Sequence, residues 1–132
     1  MELADQLREQ AASELADNIL PFWMSEMKAP DGGFYGRIDG KGVLHPESPR
    51  GGVLNARILW TFASAYRLTG RSEYLDTAMS ARDQILGPFR DVEYGGTFWS
   101  VNPDGTPDDP KKQVYAIAFA IYGLSELYRA CG

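Results

Sequence analysis

Residues 51–70 read GGVLNARILWTFASAYRLTG, an almost wholly apolar run that begins and ends at glycine. Its apolar residues fall on nearly every side of a helix, and such a helix must be covered on nearly every side. Gly70 suits a left-handed C-terminal cap. The run therefore predicts a buried helix that starts near residue 52 and ends at Gly70.

One cationic side chain lies within this apolar run. Arg57 lies among large apolar residues, and a guanidinium cannot lose its charge, so burial requires an anionic or polar partner. Arg57, Thr61 and Ser64 are spaced by four and then three residues, which places them on one helix face. We predict a buried helix with a narrow polar stripe, and a partner for Arg57.

Three further helices are predicted around it. Residues 2–28 have apolar residues at helical spacing among charged ones, which is typical of an amphipathic helix, with an interruption at Pro21. Residues 72–86 predict a helix with Ser72 as its N-cap. Residues 111–130 predict a fourth helix, again apolar almost all round, in which Tyr115, Phe119 and Tyr122 share a face.

The segments between the helices are rich in glycine and proline. This composition excludes a long element in residues 29–50 and 92–110. Short strands are predicted at residues 34–38 and 97–101. The tight turns are predicted at Asp39-Gly40 and Asp104-Gly105.

The two halves of the chain repeat each other. Gly32-Gly33 matches Gly95-Gly96 at an offset of 63 residues, and Tyr66-Arg67 matches Tyr128-Arg129 at 62. We predict a single partial domain of two units, about residues 1–70 and 71–132, each an amphipathic helix, a Gly-rich hairpin and an apolar helix. Two amphipathic helices cannot cover two wholly apolar ones, so an apolar face stays open for a larger protein or another copy.

Composition narrows the function. The 132 residues carry a net charge of −5 and no basic run, which argues against nucleic acid. The uncharged run 113–125 is too short to cross a membrane, and one cysteine without a signal peptide favours the cytoplasm. Neither zinc-ligand spacing nor a nucleotide-binding glycine motif is present, so we expect no metal and no cofactor.

Four stretches resemble the N-acylglucosamine 2-epimerase family: GGFYGRIDGKG (32–42), HPESPRGGVLNARILWTFASAYR (45–67), YGGTFWSVNPDG (94–105) and KKQVYAIAFAIYGLSELYRA (111–130). The resemblance implies an all-α fold that is part of an (α/α)6 barrel. The chain corresponds to the N-terminal third of that barrel, with two of its six helix pairs and short Gly-rich hairpin loops.

The resemblance also implies an isomerase that inverts C2 of a sugar through an enediolate. Arg57 matches an arginine that acts at substrate oxygens, and Tyr115 matches a substrate-contacting tyrosine. Further residues expected to line the same cavity are Asn55, Trp60, Thr61, Phe119 and Tyr122. The histidines that transfer the proton lie on later helices of the family barrel, so whether this chain is itself an enzyme stays open.

Two hypotheses remain from the sequence. In the first, the chain is an N-terminal part of a sugar 2-epimerase and is inactive alone, since its single histidine, His45, belongs to a loop. In the second, it is a non-catalytic helical-repeat module that self-associates. Three copies would supply the twelve helices of a closed barrel as a homotrimer.

Overall fold

A computed structural model describes residues 2–132. Helices α1 and α2 are joined by a π-helical turn, Leu15–Ile19, and together form the predicted first helix. The second, third and fourth predicted helices are α3, α4 and α5. The helix bounds are α1 Leu3–Glu14, α2 Leu20–Ser25, α3 Gly52–Thr69, α4 Ser72–Leu86 and α5 Val114–Cys131.

The predicted interruption at Pro21 takes the form of this π-helical turn. Pro21 is the second residue of α2, two residues after Ile19, where the π-helical turn ends. A proline inside a helix lacks an N–H donor, and its ring crowds the carbonyl four residues back. A locally widened turn relieves that crowding without ending the helix.

Helix α3 occupies the centre of the molecule. Ala56, Leu59, Phe62 and Ala63 are buried in the core that α3 shares with α4 and α5. Its predicted end is confirmed, since Gly70 caps it at a φ of 72°. The prediction that Ser72 is an N-cap is wrong. Ser72 is the first residue of α4, and the capping position belongs to Arg71, whose side chain makes no capping bond.

A small antiparallel sheet ties the two long loops together. Its strands are β1 Arg50–Gly51, β2 Ser100–Val101 and β3 Pro107–Asp109, in the order β1-β2-β3. Arg50 pairs with Val101, and Ser100 pairs with Asp109. The sheet therefore joins a residue pair before α3 to the hairpin before α5, which the sequence did not predict.

The predicted strands are mostly wrong, whereas the predicted turns are confirmed. Residues 34–38 form only isolated bridges, and within 97–101 only the last two residues form a strand. The density of glycine and proline prevents longer ladders. At the turns, the amides of Asp39 and Asn102 donate to the carbonyls of Val43 (3.0 Å) and Thr106 (2.8 Å).

Two apolar surfaces remain uncovered. Helix α5 exposes Val114, Ile121 and Tyr128, which confirms the predicted open face. Helix α1 has no buried residue, and Leu3 and Leu7 are exposed, so the expectation that its apolar side is covered is wrong. None of the described helices is long and apolar enough to cross a lipid bilayer.

Candidate functional site

Arg57 projects from the second turn of α3 and is exposed. Within residues 2–132 it makes no hydrogen bond and no ion pair. The prediction of a buried Arg57 with a partner is therefore wrong for this chain. The reason is that the surface of α3 around Arg57 is open, so water solvates the guanidinium.

Arg57 separates two depressions. One, the α2–α3 groove, has a volume of about 230 Å³. The other, the Arg57 hollow, is open and has a volume of about 480 Å³. The groove is lined by Ile19, Trp23, Leu54, Arg57, Ile58, Thr61 and Phe62. The hollow is lined by Arg57, Trp60, Thr61, Tyr115, Phe119 and Tyr122.

An aromatic wall bounds the Arg57 hollow. The rings of Trp60 and Tyr122 stack across α3 and α5 with centroids 5.1 Å apart and planes 5° from parallel. Along α5, Phe119 packs edge-on against Tyr115 at 5.0 Å and against Tyr122 at 5.8 Å. These stacked and edge-to-face contacts pack the wall residues against one another, and Tyr115 is exposed to solvent.

The hollow brings together most of the residues that the sequence proposed for a site. Arg57, Trp60, Tyr115 and Phe119 all line it, as do Thr61 and Tyr122. Asn55 does not. Asn55 precedes Arg57 by two residues, which is a rotation of about 200° around the helix, so Asn55 lies on the opposite side of α3. Its side chain is buried, and its Nδ2 donates to the carbonyl of Gly51 at 2.9 Å.

His45 does not line the hollow and instead contacts residues of its own loop. Its Nε2 lies 3.1 Å from Asp39 Oδ2, and its Nδ1 lies 3.4 Å from Glu47 Oε1. The backbone amide of Val43, then His45, and the amide of Lys41 lower the pKa of Asp39 to about 2. The contacts of His45 therefore stabilise the 39–43 turn.

A buried carboxylate that the sequence analysis passed over links α3 to α5. Glu126 accepts hydrogen bonds from Ser64 Oγ (2.9 Å) and Arg67 Nε (3.0 Å), and Arg129 lies at 3.7 Å. Burial opposes ionisation, but the bonds from Arg67 and Ser64 outweigh it and lower the pKa of Glu126. No local sequence pattern indicated these bonds, because they depend on how α3 and α5 pack against each other.

The chemistry available in the hollow is electrostatic. Arg57 offers a permanent cation, and Thr61 and Tyr115 offer hydroxyl groups. Neither a histidine nor a carboxylate is among the described residues that line it, so proton abstraction near neutral pH has no base here. Residues 2–132 also hold no cluster of three or more His, Cys, Asp or Glu side chains that could bind a metal ion.

Comparison with known proteins connects this geometry to a family. Residues 33–132 match the family model described as N-acylglucosamine 2-epimerase (GlcNAc 2-epimerase). A cellobiose 2-epimerase from Bacteroides fragilis is 52% identical over 127 residues, which cover 96% of this chain and 32% of that protein. The chain thus spans about a third of the length of the curated relative.

Solved structures agree. The cellobiose 2-epimerase from Spirochaeta thermophila superimposes with a TM-score of 0.91 at 41% identity, over 97% of this chain and 32% of the other. The cellobiose 2-epimerase from Bacillus thermoamylovorans superimposes with a TM-score of 0.92 at 35% identity, over 96% of this chain and 33% of the other. These structural neighbours are (α/α)6 barrels, and the present helices form part of such a barrel.

Proposed function

Because the chain belongs to the N-acylglucosamine 2-epimerase family, we propose that it supplies the Arg57 side of the active site of a sugar 2-epimerase. The observation that supports this proposal is the exposed Arg57, which has no partner within residues 2–132 and lines one hollow together with Tyr115. If Arg57 formed a buried ion pair, a carboxylate of the protein would neutralise its charge. An unpaired cation beside an open hollow instead suits an anionic ligand.

The proposed role of Arg57 is electrostatic. Removing the C2 proton from an open-chain sugar leaves an enediolate whose negative charge rests mainly on the oxygen at C1, next to the hydroxyl oxygen at C2. A guanidinium close to that oxygen stabilises the charge more than it stabilises the neutral sugar, which lowers the barrier. Tyr115 can hydrogen-bond a sugar hydroxyl, while Trp60 and Phe119 shape the wall.

The proton transfer itself requires groups that this chain does not place in the hollow. Histidine suits this task because its pKa lies near neutrality. The family resemblance assigns the base and the acid to two histidines of later helices, and His45 is engaged in its own loop. We therefore propose that the 132 residues alone do not epimerise sugars.

The proposed substrate class is taken from the names of similar proteins. Two similar proteins with solved structures are cellobiose 2-epimerases, so we propose a sugar with a free reducing end, of the cellobiose type. We propose that no cofactor is required, because deprotonation and reprotonation at one carbon involve no net oxidation. Cytoplasmic location and self-association remain proposals, supported by the single cysteine and by the open face of α5.

A chimera tests the proposal. This chain would replace the matching 127 residues of the Bacteroides fragilis cellobiose 2-epimerase. We expect the chimera to epimerise cellobiose, and Arg57→Ala to lower its kcat by about 100-fold or more, as for other lost groups that stabilise an oxyanion. Arg57→Lys should recover part of that loss, since it keeps the charge without the planar fork.

Two controls make the result decisive. Arg8→Ala removes an exposed guanidinium from α1, outside the hollow, and should leave kcat unchanged. The 132-residue chain alone should produce no epimer. A folded but inactive chimera, full activity of Arg57→Ala, or epimerisation by the isolated chain would each contradict a stated part of the proposal.

A further inference from the structure

Thr61 lies in the middle of the polar stripe of α3, between Arg57 and Ser64. Arg57 is exposed, whereas Ser64 is buried and its Oγ donates to Glu126 at 2.9 Å. Thr61 is half-buried, and it lines the Arg57 hollow as well as the α2–α3 groove. A ligand that fills the hollow beside Arg57 therefore comes into contact with Thr61.

The hydroxyl of Thr61 differs from those of the other two threonines that lie in helices. Thr69 and Thr77 each donate to the carbonyl four residues earlier, that of Ala65 at 2.8 Å and that of Glu73 at 2.9 Å. Such a bond is a common way for a helical threonine to satisfy its hydroxyl. Thr61 does not make it, and its hydroxyl has no other hydrogen-bond partner within residues 2–132. This hydroxyl is therefore available to a group outside these residues.

The two helices contribute different chemistry to the Arg57 hollow. Helix α3 contributes the polar side chains of Arg57 and Thr61, and α5 contributes the aromatic rings of Tyr115, Phe119 and Tyr122. A sugar has the same division, with hydroxyl groups at its edges and C–H groups on its faces. Since a hydroxyl group can both donate and accept a hydrogen bond, the Thr61 hydroxyl can pair with a sugar hydroxyl in either direction.

We infer that Thr61 is a substrate-binding residue, whose hydroxyl bonds a neutral hydroxyl group of the sugar while Arg57 meets the oxygen that gains charge. This role rests on the proposed function. Thr61 follows Arg57 by one helical turn, a rise of about 6 Å, so the two side chains contact different oxygens of one sugar. The charged oxygen belongs to Arg57, because a guanidinium bonds an anion more strongly than a neutral hydroxyl does. The bond from Thr61 does not change during proton removal, so it contributes to affinity and not to the barrier.

Thr61→Val in the chimera tests this role, because valine keeps the shape of threonine and removes only the hydroxyl. We expect KM for cellobiose to rise about 3- to 10-fold with kcat unchanged, which is the effect of losing one neutral hydrogen bond made equally before and during the reaction. Thr61→Ser keeps the hydroxyl and should restore most of the affinity. Thr77→Val is the matched control, since the Thr77 hydroxyl is bonded within α4, and it should leave KM and kcat unchanged.

A binding measurement separates the role of Thr61 from the proposed reaction. In the Arg57→Ala chimera epimerisation is expected to be slow, so calorimetric titration with cellobiose measures Kd directly. Adding Thr61→Val should raise that Kd by the same 3- to 10-fold, about the effect of one hydrogen bond. Full activity of Arg57→Ala, or an inactive chimera that still binds cellobiose, would contradict the proposed reaction, and the ratio of the two Kd values would still test Thr61.

Three outcomes would overturn the role of Thr61. The first is an unchanged KM and Kd in a folded Thr61→Val chimera, and a lowered Tm in that variant would show that the hydroxyl bonds another helix of the barrel. The second is a loss in kcat without a rise in KM. The third is a Thr61→Ser chimera that binds cellobiose as weakly as Thr61→Val. A folded chimera that binds no cellobiose would overturn both this role and the proposed function.

Discussion

Glu126 of α5 makes the polar contacts that link this helix to α3. It is buried, and it accepts hydrogen bonds from Ser64 and Arg67 of α3. Removing the charge of Arg67 would leave the buried Glu126 carboxylate poorly solvated, whereas Arg67, whose side chain is 36% exposed, would keep contact with water if Glu126 were replaced. The lowered pKa of Glu126 means that folding favours its ionised form.

Glu126→Gln should therefore destabilise the protein in a pH-dependent way. At pH 7 we expect the free energy of unfolding to fall by about 1–2 kcal/mol. Because the folded pKa lies below its ordinary value of 4.5, the contribution of Glu126 is present above that value and is lost as pH falls through the folded pKa. The difference between variant and wild type should shrink in urea titrations below about pH 4.5.

Glu73→Gln is the matched control, since Glu73 forms an exposed ion pair with Arg71 at 2.6 Å. Exposed pairs contribute little, so its effect should stay below about 0.5 kcal/mol. Equal losses in the two variants, or a Glu126→Gln effect that does not change with pH, would contradict this assignment.

At this scale the sequence predicted which residues share a face but not which residues meet across helices. The spacing of Tyr115, Phe119 and Tyr122 was enough to place them together. The stack of Trp60 on Tyr122 and the bond from Arg67 to Glu126 depend on the axial register of α3 against α5, which no local pattern encodes. Arg57 was predicted as buried because an apolar helix implies cover, and that cover depends on neighbours.

Among the elements, α3 and α5 approach each other closely at Gly123. An added Cβ there would meet the Ala56 carbonyl oxygen at 2.7 Å and Leu59 side-chain carbons at 3.2 and 3.3 Å. The oxygen is backbone, so the helices must move apart to admit a methyl group. The small residue therefore sets the distance between the two helices.

Gly123→Ala should destabilise the protein although alanine is the better helix former. Propensity alone would stabilise the helix by about 1 kcal/mol, whereas overpacking of this kind costs about 1–3 kcal/mol. We expect a net loss of roughly 1 kcal/mol in chemical unfolding. Ser125→Ala, exposed two residues further along α5, should instead be neutral or slightly stabilising. A stabilised Gly123→Ala would show that the contact can relax.

The bounds of α3 and α4 were predictable because glycine and proline mark them, whereas the first helix ends at Ser25 instead of near residue 28 and α5 begins at Val114 instead of residue 111. Gly70 ends α3, and α4 covers the predicted residues 72–86. The sheet was not predictable, since β1 and β2 each have two residues and come from different loops. The π-helical turn before Pro21 was predicted only as an interruption, because a proline can kink, widen or end a helix.

At the scale of the whole molecule, an uncovered apolar surface was predictable by comparing the number of apolar helix faces with the number of faces that can cover them. The sequence predicted an open face, and α5 has one. It did not predict that α1 would also be uncovered. An amphipathic pattern indicates that a helix is meant to be covered on one side, but it does not say which partner covers it.

The exposure of α1 leads to the last prediction, which concerns how far the cooperative core extends. Helix α1 has no buried residue, whereas Leu20 in the first turn of α2 is 1% exposed. A helix of 12 residues without packing is marginal in water. Amides of residues 3–14 should therefore exchange with solvent at least about 100-fold faster than those of α3, because local opening requires little energy there.

Deletion of residues 2–14 gives the matching thermodynamic test. The deletion should lower helical circular dichroism but change the free energy of unfolding by less than about 0.5 kcal/mol, since it removes no core contact. Leu20→Ala, only six residues beyond the deletion, should cost about 2–5 kcal/mol by leaving a cavity. If the deletion cost as much as Leu20→Ala, α1 would have to pack on the core in solution. If it costs nothing, the cooperative unit begins at the π-helical turn, and the apolar side of α1 is available to a partner.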